Sequence, residues 1–80
     1  MSQRTRTVQF IEGRILDVLG RTKKGKEPTS LALCAMAMKY EIRSIEEQHN
    51  YDLALYNLLK SGEVIQTPDE KGFVILKLAA

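Results

Sequence analysis

Glu63-Val64-Ile65-Gln66-Thr67-Pro68-Asp69-Glu70-Lys71-Gly72-Phe73-Val74-Ile75-Leu76-Lys77-Leu78 is the stretch on which the fold turns. Two short blocks rich in β-branched, aromatic and aliphatic residues, Val64 to Thr67 and Phe73 to Leu78, flank a run of proline, acids, lysine and glycine. Blocks of this kind bounded by turn formers read as strand, turn and strand. Ahead of Gly62 the hydrophobic period is 3.6 rather than 2. The expected class is therefore mainly α with a small antiparallel β-hairpin after the helices.

Working back from Gly62, Tyr51, Leu55, Leu58 and Leu59 form the core stripe of a third helix, with Gly62 just beyond its end. Ser44-Ile45-Glu46-Glu47 has the form of a capping box, so that helix can start as early as Ile45. Leu31 to about Tyr40 is a second helix, nearly apolar all round and so expected to be surrounded by the others, with Thr29 or Ser30 as its N-cap. A first helix runs from about Thr7 to Leu19, carrying Val8, Ile11, Ile15, Val18 and Leu19 on one stripe and Gly20 at its stop. Gly13 inside it lowers helix propensity unless it lets another element approach closely.

Eighty residues fit one domain, 1–80, with 1–6 as a flexible N-terminal arm. A chain this short buries only about 60 to 65% of its unfolded surface, so self-association is a natural way to cover more. Hydrophobic residues at 44% and charged residues at 28% exclude disorder throughout. The net charge of +2 is unevenly divided: residues 1–26 carry seven basic and two acidic side chains, and residues 27–80 carry five basic and eight acidic. Cys34 is the single cysteine, which excludes an intrachain disulfide or multi-cysteine zinc site and fits a cytoplasmic setting. No apolar run is long enough to span a bilayer, so no membrane partner is expected.

Three helices followed by a hairpin, with Leu55-x-x-Leu58-x-x-x-Gly62-x-Val64-Ile65 at the junction, resemble the winged helix-turn-helix superfamily over Val8 to Leu78. Met36-Ala37-x-x-Tyr40-x-Ile42 resembles the end of its second helix and the turn, and Tyr51 the first core position of its recognition helix. The resemblance implies a second and third helix forming a helix-turn-helix, a third helix in the major groove and the hairpin as wing. It also implies a DNA-binding protein acting in transcription regulation or another DNA transaction, with double-stranded DNA as partner; a homodimer is expected separately, from the small core. The chain departs from the pattern between Ile42 and Tyr51, about four residues longer than a compact turn, which means an extended turn or an extra helical turn.

Within that frame Arg21, Lys23, Lys24 and Lys26, joined by Arg4 and Arg6, are candidate contacts to the DNA backbone. Gln48, Asn50 and Asn57 have the amides to pair with base edges. Against this, the start of the third helix carries Glu46, Glu47 and Asp52 and no cation before Lys60, facing phosphates spaced at one charge per ~1.7 Å. Ile45, His49, Leu53 and Tyr56 form a second stripe on the same helix, of which Ile45, Leu53 and Tyr56 are candidates for a protein interface. The alternative reading is thus a winged helix used as a protein-interaction or dimerisation module without specific DNA reading. His49 lacks a second metal-binding neighbour, Cys34 reads as a small core hydrophobe, and Met36 and Met38 as core filling. No phosphate loop, nucleophile with a histidine partner or metal cluster is present in the sequence, so neither catalysis nor a cofactor is expected.

Overall fold

The computed structural model describes residues 4–79. Its elements in chain order are helices α1 (Val8–Arg21), α2 (Ser30–Ala37) and α3 (Ile45–Ser61) and strands β1 (Val64–Pro68) and β2 (Val74–Leu78). This is a mainly α, winged-helix-like layout, three helices and an antiparallel hairpin. The hairpin register sets Val64 opposite Leu78 and Pro68 opposite Val74. At its tip the Asp69 carboxylate accepts from the Lys71 and Phe73 N–H groups at 2.8 and 2.9 Å, and Gly72 takes the positive φ of 88° that closes the turn.

α1 buries Ile11, Ile15, Val18 and Leu19, the stripe its spacing predicts, among α2, α3 and β2. Thr7 caps it by accepting from the Phe10 N–H at 3.1 Å. The helix does not stop at Gly20 as the sequence suggests. It continues to Arg21 because Thr22 closes it, through a hydroxyl donated to the Val18 carbonyl at 2.7 Å and an N–H donated to Leu19. A Cβ built on Gly13 has nothing within 4 Å, so that glycine accommodates no neighbouring element.

α2 is capped by Thr29 rather than Ser30 and ends at Ala37, three residues before Tyr40. It is not enclosed by the other elements: Leu33 and Ala37 are buried, while Ser30, Ala32 and Leu31, 83% exposed, face solvent. Met38 is fully buried and Met36 and Cys34 half-buried; burial pushes the Cys34 thiol up. The chain leaves α2 through Lys39 (φ 54°) and Tyr40 (φ 61°), two successive left-handed residues that are not glycine. Each costs about 1 kcal/mol or more, offset here by the Tyr40 N–H donating to the Ala35 carbonyl at 2.7 Å. Between Ile42 and Tyr51 both expected alternatives hold, an extended turn through residue 44 and an α3 that starts at Ile45. α3 stops at Gly62, whose φ of 85° is the left-handed cap the sequence leads one to expect.

The core joins the α1 stripe to Leu33, Ala37, Met38, Tyr51, Ala54, Leu55, Leu58, Val64 and Leu76. The Leu76 N–H donates to the Pro28 carbonyl at 2.9 Å, so the loop ahead of α2 lies along the outer edge of β2. That bond sets the basic loop beside the wing. The Tyr51 hydroxyl is enclosed without a hydrogen-bond partner among the described residues, and burial pushes its phenol up.

Two stability measurements follow. Gly13→Ala should raise stability by about 1 kcal/mol, since the site is an open helical position, and shift the thermal midpoint up by about 4 to 8 °C. Tyr51→Phe should be neutral or stabilising in urea denaturation, because it removes an unpaired buried hydroxyl whose burial costs about 1 to 3 kcal/mol.

Candidate nucleic-acid interface

α3 begins as a capping box and then departs from it. The Ser44 hydroxyl accepts from the Glu47 N–H at 3.1 Å, but the Glu47 carboxylate reaches past Ser44 to the Arg43 N–H at 3.0 Å. The same carboxylate accepts from the Arg6 N–H at 2.8 Å, its Nε at 3.0 Å and its Nη2 at 2.6 Å. Glu47 is fully buried and the Arg6 side chain 11% exposed. The paired guanidinium holds the Glu47 carboxyl down at about 2, and the same bond raises Arg6. Glu47 is therefore an internal counter-ion and not an acid presented to a groove.

Arg6 has little left for a phosphate. Beyond Glu47 its guanidinium donates to the Met38 carbonyl at 3.1 Å and the Glu41 carbonyl at 2.6 Å. The segment around it is also held: Asn50 donates to the Arg6 carbonyl at 2.8 Å and Arg43 to the Arg4 carbonyl at 2.9 Å. Residues 4–6 are thus tied to α3 and the turn before it and do not form a flexible arm; residues 1–3 lie outside the described residues. Arg6 leaves the set of expected backbone contacts, whereas Arg4 remains exposed.

The three amides expected to read bases are not brought together. Gln48 donates to Asp52 at 3.1 Å, Asn50 to the Arg6 carbonyl and Asn57 to Glu12 at 3.0 Å. At about 100° per residue Gln48 and Asn50 stand on opposite flanks of α3. The outward face between them carries Glu46, His49, Leu53, Tyr56 and Lys60, together with Ile45 at the first turn. Ile45 is 79% exposed, Leu53 49% and Tyr56 57%, and the Lys60 ammonium lies 5.9 Å from the centre of the Tyr56 ring. That face is apolar and mixed in charge, with no amide aimed out of it.

The cations gather elsewhere. A cleft between the end of α1 and the turn after α2 is lined by Arg14, Val18, Arg21, Thr22, Met36, Lys39 and Tyr40. Thr22 also lines a second cleft with Lys24, Glu27 and Lys77, and these three recur in a third with Lys71, Asp69 and Glu70. The three adjoin as one furrow from the α2 turn, past the loop, to the wing. Six lining residues are basic, Arg14, Arg21, Lys24, Lys39, Lys71 and Lys77, against three acidic ones, Glu27, Asp69 and Glu70. The first cleft has no carboxylate in its lining, although Asp17 pairs with Arg21 at 2.6 Å in the open. Exposed pairs of that kind are worth about 0 to 1 kcal/mol, so Arg21 is readily diverted to another anion. The other loop lysines, Lys23 and Lys26, are exposed. Glu27 orders the loop by accepting from the Gly25 N–H at 3.0 Å, and its own backbone N–H together with that of Gly25 holds its carboxyl below the usual range.

Of the expected backbone contacts, Arg21 and Lys24 line these clefts, whereas Lys23 and Lys26 are exposed loop residues outside their lining. Sequence reading missed Lys39, Lys71, Lys77 and Tyr40 as their neighbours. Nothing in the sequence marks Lys39 and Tyr40 as left-handed, and the loop-to-wing contact depends on the Pro28–Leu76 bond. Among the described residues no group of three or more His, Cys, Asp and Glu could hold a metal ion, and no helix is long and apolar enough to cross a membrane. No family model matches the chain, and neither a curated protein nor a solved structure is significantly similar to it.

The buried pair makes a pH-dependent demand. A carboxyl lowered from 4.5 to about 2 contributes stability that is fully present above pH 4.5 and is lost as pH falls towards 2. Glu47→Gln should cost about 3 kcal/mol at neutral pH, since it leaves the enclosed Arg6 without its counter-charge, and should flatten that acid limb. Urea midpoints measured across pH 2 to 7 for both proteins provide the check.

Proposed function

We propose that the chain binds double-stranded DNA through phosphate contacts along the basic furrow, not through bases read by α3. The observation that carries this is contiguity: cations from α1, the α2 turn, the loop and the wing line adjoining clefts. Clustered Lys and Arg release counter-ions from the duplex backbone, which supplies affinity without sequence information. The winged-helix-like layout supports the reading, because a loop and a wing that flank one another offer two arms to a backbone. The furrow suits a DNA-transaction factor, transcription regulation included, in which sequence preference is weak or comes from a partner. A reducing, cytoplasmic setting is the one in which the lone thiol of Cys34 needs no partner.

If Arg21, Lys24, Lys39 and Lys77 each neutralise one phosphate, log affinity against log salt should fall with a slope of about −3.6, from ~0.9 per contact. Lys24→Ala with Lys77→Ala should flatten that slope by about 1.8 and weaken binding equally for unrelated sequences. Gln48→Ala should leave both affinity and sequence preference unchanged, because its amide is held by Asp52 away from the furrow. Fluorescence anisotropy with random duplex from about 50 to 200 mM salt measures all three. Absence of micromolar duplex affinity at the low end of that range would remove the reading.

A further inference from the structure

The outward face of α3 is used neither by the core nor by the furrow. Its central residues, Glu46, His49, Leu53, Tyr56 and Lys60, recur at spacings of three and four, the seam along which one helix meets another. Leu53 and Tyr56 are about half exposed, and no other element among the described residues covers them. Glu46 and Lys60 each lie seven residues from Leu53, on opposite sides of it and with opposite charge. Neither forms an ion pair within the chain among the described residues.

We propose that this face binds a second copy of the chain, with α3 antiparallel to the α3 of its partner and Leu53 on the two-fold axis. In that register Glu46 meets Lys60 of the partner subunit, and by symmetry Lys60 meets Glu46 of the partner subunit. A parallel pairing would set carboxylate against carboxylate and ammonium against ammonium, so the charge pattern selects the antiparallel one. Seven residues correspond to about 10 Å of helix, over which a shallow crossing of about 20° keeps long side chains within reach. A two-fold contact requires a self-complementary patch, and a stripe with an apolar centre and opposite charges at equal distances has that property. The furrow shares no residue with the stripe. The inference stands independently of the DNA reading.

The test is sedimentation equilibrium of the full chain without nucleic acid. The expected wild-type mass is twice the 9.1 kDa of the chain. Glu46→Lys and Lys60→Glu should each weaken the dimer about tenfold or more, and the double variant carrying both should recover to within a few-fold of wild type. Circular dichroism checks that each variant stays folded; because Glu46→Lys also places a cation at the α3 N-terminus, Glu46→Gln serves as the milder variant and should weaken the dimer less. In a Cys34→Ala background, Leu53→Cys should form a disulfide-linked dimer under mild oxidation, because residues on a two-fold axis face their own copies. A wild type that stays monomeric at millimolar concentration overturns the proposal and leaves the face to a different protein. A dimer in which the double variant fails to recover, or in which Leu53→Cys does not cross-link, overturns the register.

Discussion

The ion pair between Arg6 and Glu47 is the constraint on which the arrangement of this chain depends. One carboxylate gathers two backbone N–H groups and two guanidinium nitrogens, while the same guanidinium holds the Met38 and Glu41 carbonyls. It thereby fixes three segments relative to one another: the stretch before α1, the irregular turn between α2 and α3, and the first turn of α3. Taking two charges out of water costs several kcal/mol per ion, and their attraction offsets this only where the remaining donors and acceptors are also satisfied. Here they largely are. The pair's worth is thus less in net stability than in locating a turn that hydrophobic burial leaves free, since Glu41, Ile42, Arg43 and Ser44 are all exposed.

That turn in turn decides the charge distribution. By following α2 with two left-handed residues, the chain carries Lys39 and Tyr40 to the end of α1, where they join Arg14 and Arg21. Had α2 continued to Tyr40, that side chain would be one more residue on a helix, and the first cleft would lack a wall. Left-handed conformations at residues other than glycine are rare because they cost energy, and a strained residue bordering a cationic cleft is a natural place to look for function. Tyr40, 82% exposed, stands there as a flat apolar surface beside three cations.

The elements whose signal is local were legible in the sequence. The period switch after Gly62, the α1 stripe, the start of α3 after Ser44 and the cap at Gly62 are properties of a few adjacent residues, and each appears where its pattern puts it, whereas the stop expected at Gly20 gives way to Thr22. The length of α2 was not legible, because eight nearly apolar residues give no periodic contrast and the unwinding at Met38 depends on hydrogen bonds from distant Arg6. Glu47 read as a capping-box glutamate and an acid facing phosphates for the same reason: its burial is caused by a side chain 41 positions away. The amides misled in the opposite sense. Gln48, Asn50 and Asn57 have the chemistry to read bases, yet a local bond to Asp52 and sequence-distant bonds to Arg6 and Glu12 hold them on the flanks of α3.

The uneven charge of the sequence thus becomes two surfaces with different physical capacities. A carboxylate such as Glu46, in the first turn of α3, is stabilised by the unpaired N–H groups of the helix end, by about 0.3 to 1 kcal/mol. Brought against a DNA phosphate it would instead meet a like charge, and nothing beside it compensates. A cation from another protein surface adds to the stabilisation that the helix end already provides. For the furrow the balance runs the other way: Arg14 donates to the Ala37 carbonyl at 3.1 Å, and among the described residues the ion pair made by its lining cations is the exposed Arg21–Asp17 one, so a polyanion gains their charge without breaking a buried ion pair. The proposed phosphate contacts and the proposed contact with a second copy therefore fall on sets of residues that share no member, divided by which charges are already satisfied.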